Sequence, residues 1–488
     1  MRGRPPIPPP SHMDCPVPIM RRAILSAFIV GAWLLAGCEA GERAGISAPR
    51  SPVGPVPPEP QRPGDPERGY RALVTESYVS CGIPYAAYRE SADPPPPSHR
   101  LPGREGRNAE LPYNFTAHTT KDGVELVVSN CLTCHAGFFD GRLIVGLGNE
   151  ALDFTEDRVP YIEGLGAYVQ DEKAAREWRK WADRLEAIGP YSTTDTVGSN
   201  PAISITWALF AHRDPKTLAW SPTALIAPPP THPLPATVPP WWRMKKKHAM
   251  FHTAVGRGDH ARLMILASTL CTDSVEEARA IDAYAPDIRA FIETLQPPAY
   301  PFATDEAFAA SGQLLFEANC TQCHGTYGEN WTYPNLVIDL ARIGTDPAVA
   351  LAGTGGSEDR FLRWLGESFY GESARLAPAR GYIAPPLDGV WATAPYLHNG
   401  SVPTIDALLN SGKRPRYWRR SFDSKDYDQE TLGWRYTELA EGKKGTDSNA
   451  RKWVYDTTLP GAANSGHTFG DHLKEGERRA VLEYLKTL

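Results

Sequence analysis

Apolar residues recur at helical spacing at several points along the chain. Ile288, Phe291, Ile292 and Leu295 share one stripe. Val481, Tyr484, Leu485 and Leu488 repeat it, and Ile292-Glu-Thr-Leu295 matches Leu485-Lys-Thr-Leu488. From Asp171 to Ile188 the period predicts an amphipathic helix with Trp178, Trp181 and Leu185 facing inward. Gly312-x-x-Leu315-Phe316 and Gly123-x-x-Leu126-Val127 read as two more apolar-faced helices, each with a glycine that lets another helix approach closely. The pattern predicts a mainly α protein. Gln296 to Thr304 (QPPAYPFAT) cannot continue a helix, so it reads as a Pro-rich linker between two tandem halves. Residues 38–70 are rich in Pro, Gly and Arg and lack apolar periodicity, the composition of an extended tether. Residues 411–463 are rich in Trp, Tyr, Arg and Lys and read as an insertion in the second half.

Composition narrows the function classes. Among 488 residues, 51 Lys and Arg stand against 57 Asp and Glu, a net charge of −6. A mildly acidic chain is not a general nucleic-acid binder. The 47 prolines are about twice the usual share of roughly 5%. An apolar run, Ala23 to Leu35, follows Arg21-Arg22 and ends in Leu35-Ala36-Gly37-Cys38, which reads as a secretory signal. Its ending resembles a bacterial lipobox. Residues 1–37 are therefore expected to be an upstream extension and signal peptide, with Met1, Met13 and Met20 as possible starts. Cys38 is expected to carry the lipid anchor of an exported, periplasmic or cell-surface lipoprotein, whose thiols meet an oxidising compartment.

The cysteines carry the chemistry. Four of the eight form two copies of one pattern, Cys131-Leu-Thr-Cys134-His135 and Cys320-Thr-Gln-Cys323-His324. C-x-x-C-H is the attachment site of c-type haem, in which two thiols add across the haem vinyl groups and the adjacent histidine binds iron. A Cys₄ zinc site or a thioredoxin-like dithiol would use the same cysteines, but neither needs a histidine after both motifs. Cys81 and Cys271 are left to pair or to remain free thiols. Residues 71–299 and 300–488 are thus expected to be two cytochrome-c-like domains with one covalent haem each. A second repeat lies within them: Pro239-Pro240 precedes His252 as Pro385-Pro386 precedes His398, and both loops are expected to sit beside their own haem.

The two motifs, together with Trp391-Ala-Thr-Ala-Pro-Tyr-Leu-His398-Asn-Gly-Ser-Val-Pro403, resemble the bacterial di-haem cytochrome c peroxidase superfamily, closest to its rubber-oxygenase-like branch. The resemblance runs over roughly residues 70–488 and includes Val79-Ser-Cys81-Gly-Ile-Pro84 and Gly256-Arg-Gly-Asp-His260. It implies a mostly helical two-domain protein in which one haem stores electrons and the other binds peroxide or dioxygen. It also implies an electron-donor protein or small reductant as partner, and peroxide, dioxygen or an organic substrate.

Ligand supply separates the two irons. A six-coordinate haem needs a second axial ligand, usually Met or His. The methionines are 1, 13, 20, 244, 250 and 264, so the second half has none. His467 is the expected distal ligand there, with His398 as a pocket residue and His472 on the surface. Peroxidases of the superfamily place a distal His soon after the proximal one, but Ala136 to Glu156 contains no His. The first iron is therefore expected to be open, with Phe251 and His252 flanking it, or else closed by Met244, Met250 or Met264. Trp242 is expected to bridge the haems. Arg257 and Lys245 to Lys247 are candidates for the haem propionates. Two functions compete: an oxidoreductase with an open first haem, and a di-haem electron carrier with both irons closed.

Overall fold

The computed structural model describes residues 54–352 and 358–488. The expected signal, Cys38 and the candidate starts lie outside the described residues. Two helix pairs frame the molecule. Helix α1 (Pro66–Thr75) begins at Asp65, whose carboxylate caps the Glu67 and Arg68 N–H groups. Further along, α2 (Glu172–Ile188) is the predicted amphipathic helix, capped by Asp171. The first pair closes with α3 (Ala285–Thr294), which crosses α1. A Cβ added at Gly69 would lie 1.9 Å from the Asp287 carbonyl oxygen. The second pair is α4 (Glu306–Asn319) and α5 (Glu475–Leu485). There a Cβ at Gly312 would lie 1.8 Å from the Ala480 carbonyl oxygen. Each glycine lets one helix lie directly on the backbone of the next.

Gly312→Ala is therefore expected to force α4 and α5 apart and to destabilise the protein by about 1–3 kcal/mol. Chemical denaturation measures this, and a variant as stable as the native chain would show that the crossing tolerates a methyl group.

The mainly α expectation is corrected by the structure, which is 39% helix and 12% strand and carries several small sheets. The reason is local. Gly123-x-x-Leu126-Val127 does not form a helix. Gly123 takes φ +79° in a tight turn, and Glu125-Leu-Val-Val-Ser129 becomes strand β3. Val127 and Val128 are β-branched and favour a pleated surface. β3 pairs antiparallel with β2 (Phe115–Thr119) on one side and β1 (Ile83–Pro84) on the other. After the first motif, β4 (Ala136–Phe139) and β5 (Arg142–Val145) join through Asp140-Gly141, both at positive φ. Asp-Gly is the favoured pair for such a two-residue hairpin turn. The two halves are sewn together by β6 (Gly256–Gly258) on β8 (Ala374–Leu376), while β7 (Val337–Asp339) pairs with β9 (Gly381–Ile383) within the second.

Residues 54–65, part of the composition-defined tether, lie extended against the core. Val56 is buried with Ala249, Ala254 and Val337. Arg62 donates to both oxygens of Asp282 at 2.7 Å. Cys81 and Cys271 form a disulfide, with Cα atoms 5.5 Å apart, against which Trp181 of α2 packs.

Candidate haem sites

Each C-x-x-C-H motif folds as one short helical turn. Leu132–His135 starts beside Asn130, whose side-chain oxygen accepts the Leu132 N–H at 2.9 Å. Thr321–His324 continues directly from α4. Cys131 packs in the core of the first half and Cys320 in that of the second. Among the described residues, no group of three or more His, Cys, Asp or Glu side chains is arranged to hold a metal ion. The four cysteines therefore do not converge as a zinc site requires. Burial pushes the Cys131 thiol up to about 12 and the Cys134 thiol up to about 11.

The Pro-Pro loops orient the proximal histidines. His324 Nδ1 donates to the Pro385 carbonyl at 2.8 Å, which leaves Nε2 free for iron. The Pro239 carbonyl acts on His135 in the same way, but short of a full hydrogen bond, and His135 Nδ1 has no partner among the described residues. Trp241, next in the loop, stacks on the His135 ring at 4.7 Å.

In the second site, His467 faces His324. Their ring centroids are 6.2 Å apart and tilted by 56°. An imidazole nitrogen binds a metal at about 2 Å, and the ring centre lies about 1 Å beyond it, so an iron held between two imidazoles sets the centroids about 6 Å apart. The spacing fits a bis-His haem. Burial, reinforced by His324, lowers His467 to about 4, so the ring is neutral and its lone pair is available near pH 7. The His467 backbone is strained at φ +45°. Two contacts hold it there. Its N–H donates to the Ile343 carbonyl at 2.7 Å. Arg414, from the start of the 411–463 insertion, donates to the carbonyls of Asn464, Gly466 and His467. Arg414 was not legible as a site residue, because its role depends on three carbonyls about 50 positions away.

Around the first site, Met244, Met250, Met264, Tyr284 and Phe138 pack with Cys131 and Trp241. Cys131, Cys134, His135, Lys247 and His252 are half-buried, as are His324 and His467 in the second site.

The inner repeat is visible in the backbone. Met250 bridges Gly256, and Tyr396 bridges Val402, so each closes a hairpin of the same length. Phe251 and Leu397 occupy equivalent positions and take φ +70° and +65°. The Phe251 ring packs over Gly256, where a Cβ would come within 2.9 Å of it. The two loops are exchanged across the interface between the halves. The Thr237 N–H donates to the His398 carbonyl and the Ile383 N–H to the His252 carbonyl, both at 2.9 Å. His252 Nε2 donates to the Thr237 carbonyl at 3.0 Å, and its ring centre lies 6.4 Å from that of His398. His398 stacks on Tyr382 at 4.0 Å, with Nε2 buried and unpartnered among the described residues. His472 is exposed and bonded to Asn319.

Trp242 is fully buried in the core of the second half, and its Nε1 donates to the Asp388 carbonyl at 2.8 Å. Asp388 lies three residues past Pro385. A short route therefore runs from His135 through Trp241, which stacks on it, and the adjacent Trp242 to the loop that holds His324. Arg257 Nε donates to the Ala254 carbonyl, and Glu59 is the acid acting on its charge.

Glu150 lies behind the first Pro-Pro loop and accepts the Val238 N–H at 3.1 Å. Burial pushes its carboxyl from the usual 4.5 up to about 7, against the opposing pull of Arg420. A raised carboxyl contributes stability that is complete below its unfolded value and lost as pH climbs toward about 7. Glu150→Gln is expected to abolish this loss, a relative gain of at most about 3 kcal/mol at pH 8. Denaturation midpoints at pH 5 and pH 8 measure it, and equal pH slopes in both proteins would contradict it.

A family model described as RoxA-like, cytochrome c-like matches residues 381–419. That span holds Pro385-Pro386, Trp391 and His398. Two uncharacterized proteins of Sinorhizobium fredii are similar to this chain. The protein y4iJ is 31% identical over 291 residues, covering 46% of this chain and 47% of its own. The protein y4iM is 32% identical over 235 residues, covering 40% and 52%. The chain spans about half the length of the curated relatives it matches. The family match supports the rubber-oxygenase-like cytochromes and points to haem c and a haem-binding oxidoreductase or electron-transfer role.

Proposed function

We propose that the chain is an exported di-haem c-type oxidoreductase of the di-haem peroxidase superfamily, tethered through lipid on Cys38. Cys320, Cys323, His324 and His467 would hold the second haem, which would supply the electron-transfer centre. Cys131, Cys134 and His135 would hold the first haem without a second protein ligand, and that haem would supply the activation of peroxide or dioxygen, with electrons from a donor protein or small reductant. The observation that carries this reading is the 6.2 Å, tilted arrangement of His324 and His467. The haems supply the redox chemistry. The protein orients His324 through the Pro385 carbonyl and His135 through the stacked Trp241 ring, and Trp241 and Trp242 shorten the path between the two sites. Phe251 and His252 act at the first site, the ring excluding water and the imidazole exchanging a proton.

A second reading rests on the three methionines packed around the first motif. If one of them ligates iron, both haems are closed and the protein is an electron carrier. Electronic and paramagnetic spectra of the resting oxidised protein decide between them. The oxidoreductase reading expects one high-spin haem that binds cyanide, together with one low-spin haem. Two low-spin haems, one with a methionine–iron charge-transfer band, would establish the carrier. Phe251→Ala is expected to change cyanide affinity at the first haem at least several-fold and to leave the low-spin signal of the second unaltered.

A further inference from the structure

Two buried polar atoms on the elements around the first motif have no hydrogen-bond partner among the described residues. One is Nε2 of His260, a residue only 3% exposed. The other is the hydroxyl of Tyr284. A buried polar atom left unpaired is costly, and two in one region call for a ligand that pairs them.

Their elements bring them together. His260 opens the short helix His260–Met264, which Asp259 caps through the Ala261 N–H at 3.0 Å. Positions four apart share a helix face, so His260 and Met264 lie on the same side. Met264 packs into the cluster that holds Cys131, Trp241 and Met244. Tyr284 immediately precedes α3, which lies against the short helix, and packs into the same cluster with Met250. The short helix also abuts the Phe251 hairpin. A Cβ added at Gly256 would lie 2.9 Å from the Phe251 ring and 3.0 Å from the Leu263 side chain. His260 and Tyr284 therefore reach the first site from two neighbouring helices, on the side where Phe251 stands.

The stretch Ala136 to Glu156 supplies no His to that site. A neutral imidazole nitrogen either donates or accepts a hydrogen bond, and a phenol hydroxyl can do both. Together they suit a small molecule that carries an O–H as well as an acceptor oxygen. Hydrogen peroxide carries both, whereas dioxygen has no proton to give. We propose that His260 and Tyr284 form the polar edge of the first site and hydrogen-bond a hydrogen peroxide molecule seated there, with the Phe251 ring as the apolar side. The inference rests on the di-haem reading above and names which of its two oxidants the site is built to hold.

The test compares the native holoprotein with Tyr284→Phe, His260→Gln and the double variant. Haem content is measured by pyridine haemochrome, cyanide affinity by optical titration, and the C–O stretch of the reduced carbon monoxide complex by infrared spectroscopy. Hydrogen cyanide, like peroxide, gives up a proton as it binds, and its anion accepts hydrogen bonds. Each single variant is expected to keep both haems and to bind cyanide about tenfold more weakly, the usual worth of one hydrogen bond to a charged ligand. The double variant should lose about a hundredfold. Tyr284→Phe should also raise the C–O stretch at the first haem. Its denaturation midpoint should not fall, because the hydroxyl has no protein partner to lose. Tyr284→Phe carries the test alone if His260→Gln does not accumulate. Unchanged cyanide affinity and C–O stretch in fully loaded variants would overturn the polar edge and leave the di-haem reading standing. A first haem that is low-spin in the native protein and high-spin in His260→Gln would overturn it as well, by making His260 an iron ligand. A native protein without covalent haem would overturn the di-haem reading instead.

Discussion

Replacing Cys320 and Cys323 together with alanine is expected to halve the covalent haem content, from two per chain to one, while leaving the first site loaded. Each motif is built by separate local structure. Thr321–His324 extends α4, whose position is set by the Gly312 crossing with α5 and not by the thiols. The turn that carries Cys131 and Cys134 is held by Asn130, which donates to the Tyr113 carbonyl and the Thr116 hydroxyl, both at 3.0 Å. Loss of one pair of thioether bonds therefore leaves the other scaffold in place. Haem-stained gels, iron analysis and intact mass of protein exported by a host competent in haem attachment measure the outcome. The remaining spectrum should be that of the first haem alone. Two covalent haems in the double variant would show that the second motif is not an attachment site.

The parts of this architecture that were legible are those written in fixed spacing. The C-x-x-C-H motifs, the recurring apolar stripes and the Pro-Pro runs each appear as a pattern of neighbours in the chain. The stripe ending at Leu295 became α3 and that ending at Leu488 became α5, because helical periodicity reports a buried face directly. What failed was the match between Gly123 and Gly312. Both precede a motif at the same distance, but Gly123 closes a β-turn, while the true counterpart of Gly312 is Gly69, on α1. The first half carries β1, β2 and β3 between its opening helix and its haem motif, and such an insertion breaks any register counted from the cysteines. The exchange of the His252 and His398 loops was likewise invisible, because it is a relation between two backbones and not between two side chains.

His467→Ala is expected to convert the second haem from a six-coordinate low-spin centre to one with an open position. The argument is geometric. His324 is held from behind by the Pro385 carbonyl, and the imidazole across from it is that of His467. Removing that ring takes away the distal ligand and leaves a space of imidazole size in a wall formed by the Arg414-pinned loop. The variant should develop a high-spin ferric signal at the second haem and bind carbon monoxide when reduced. Added imidazole should restore the low-spin spectrum by filling the space. Backbone strain provides an internal control. His467 sits at φ +45°, where glycine is at ease and alanine pays roughly 1 kcal/mol. His467→Gly should lose the ligand as completely as His467→Ala while being the more stable of the two. A spectral change that followed stability instead of ligand loss would point to collapse of the loop. An unchanged low-spin signal in both variants would transfer the ligand role to His398 or His472, although the first is stacked on Tyr382 and the second is exposed.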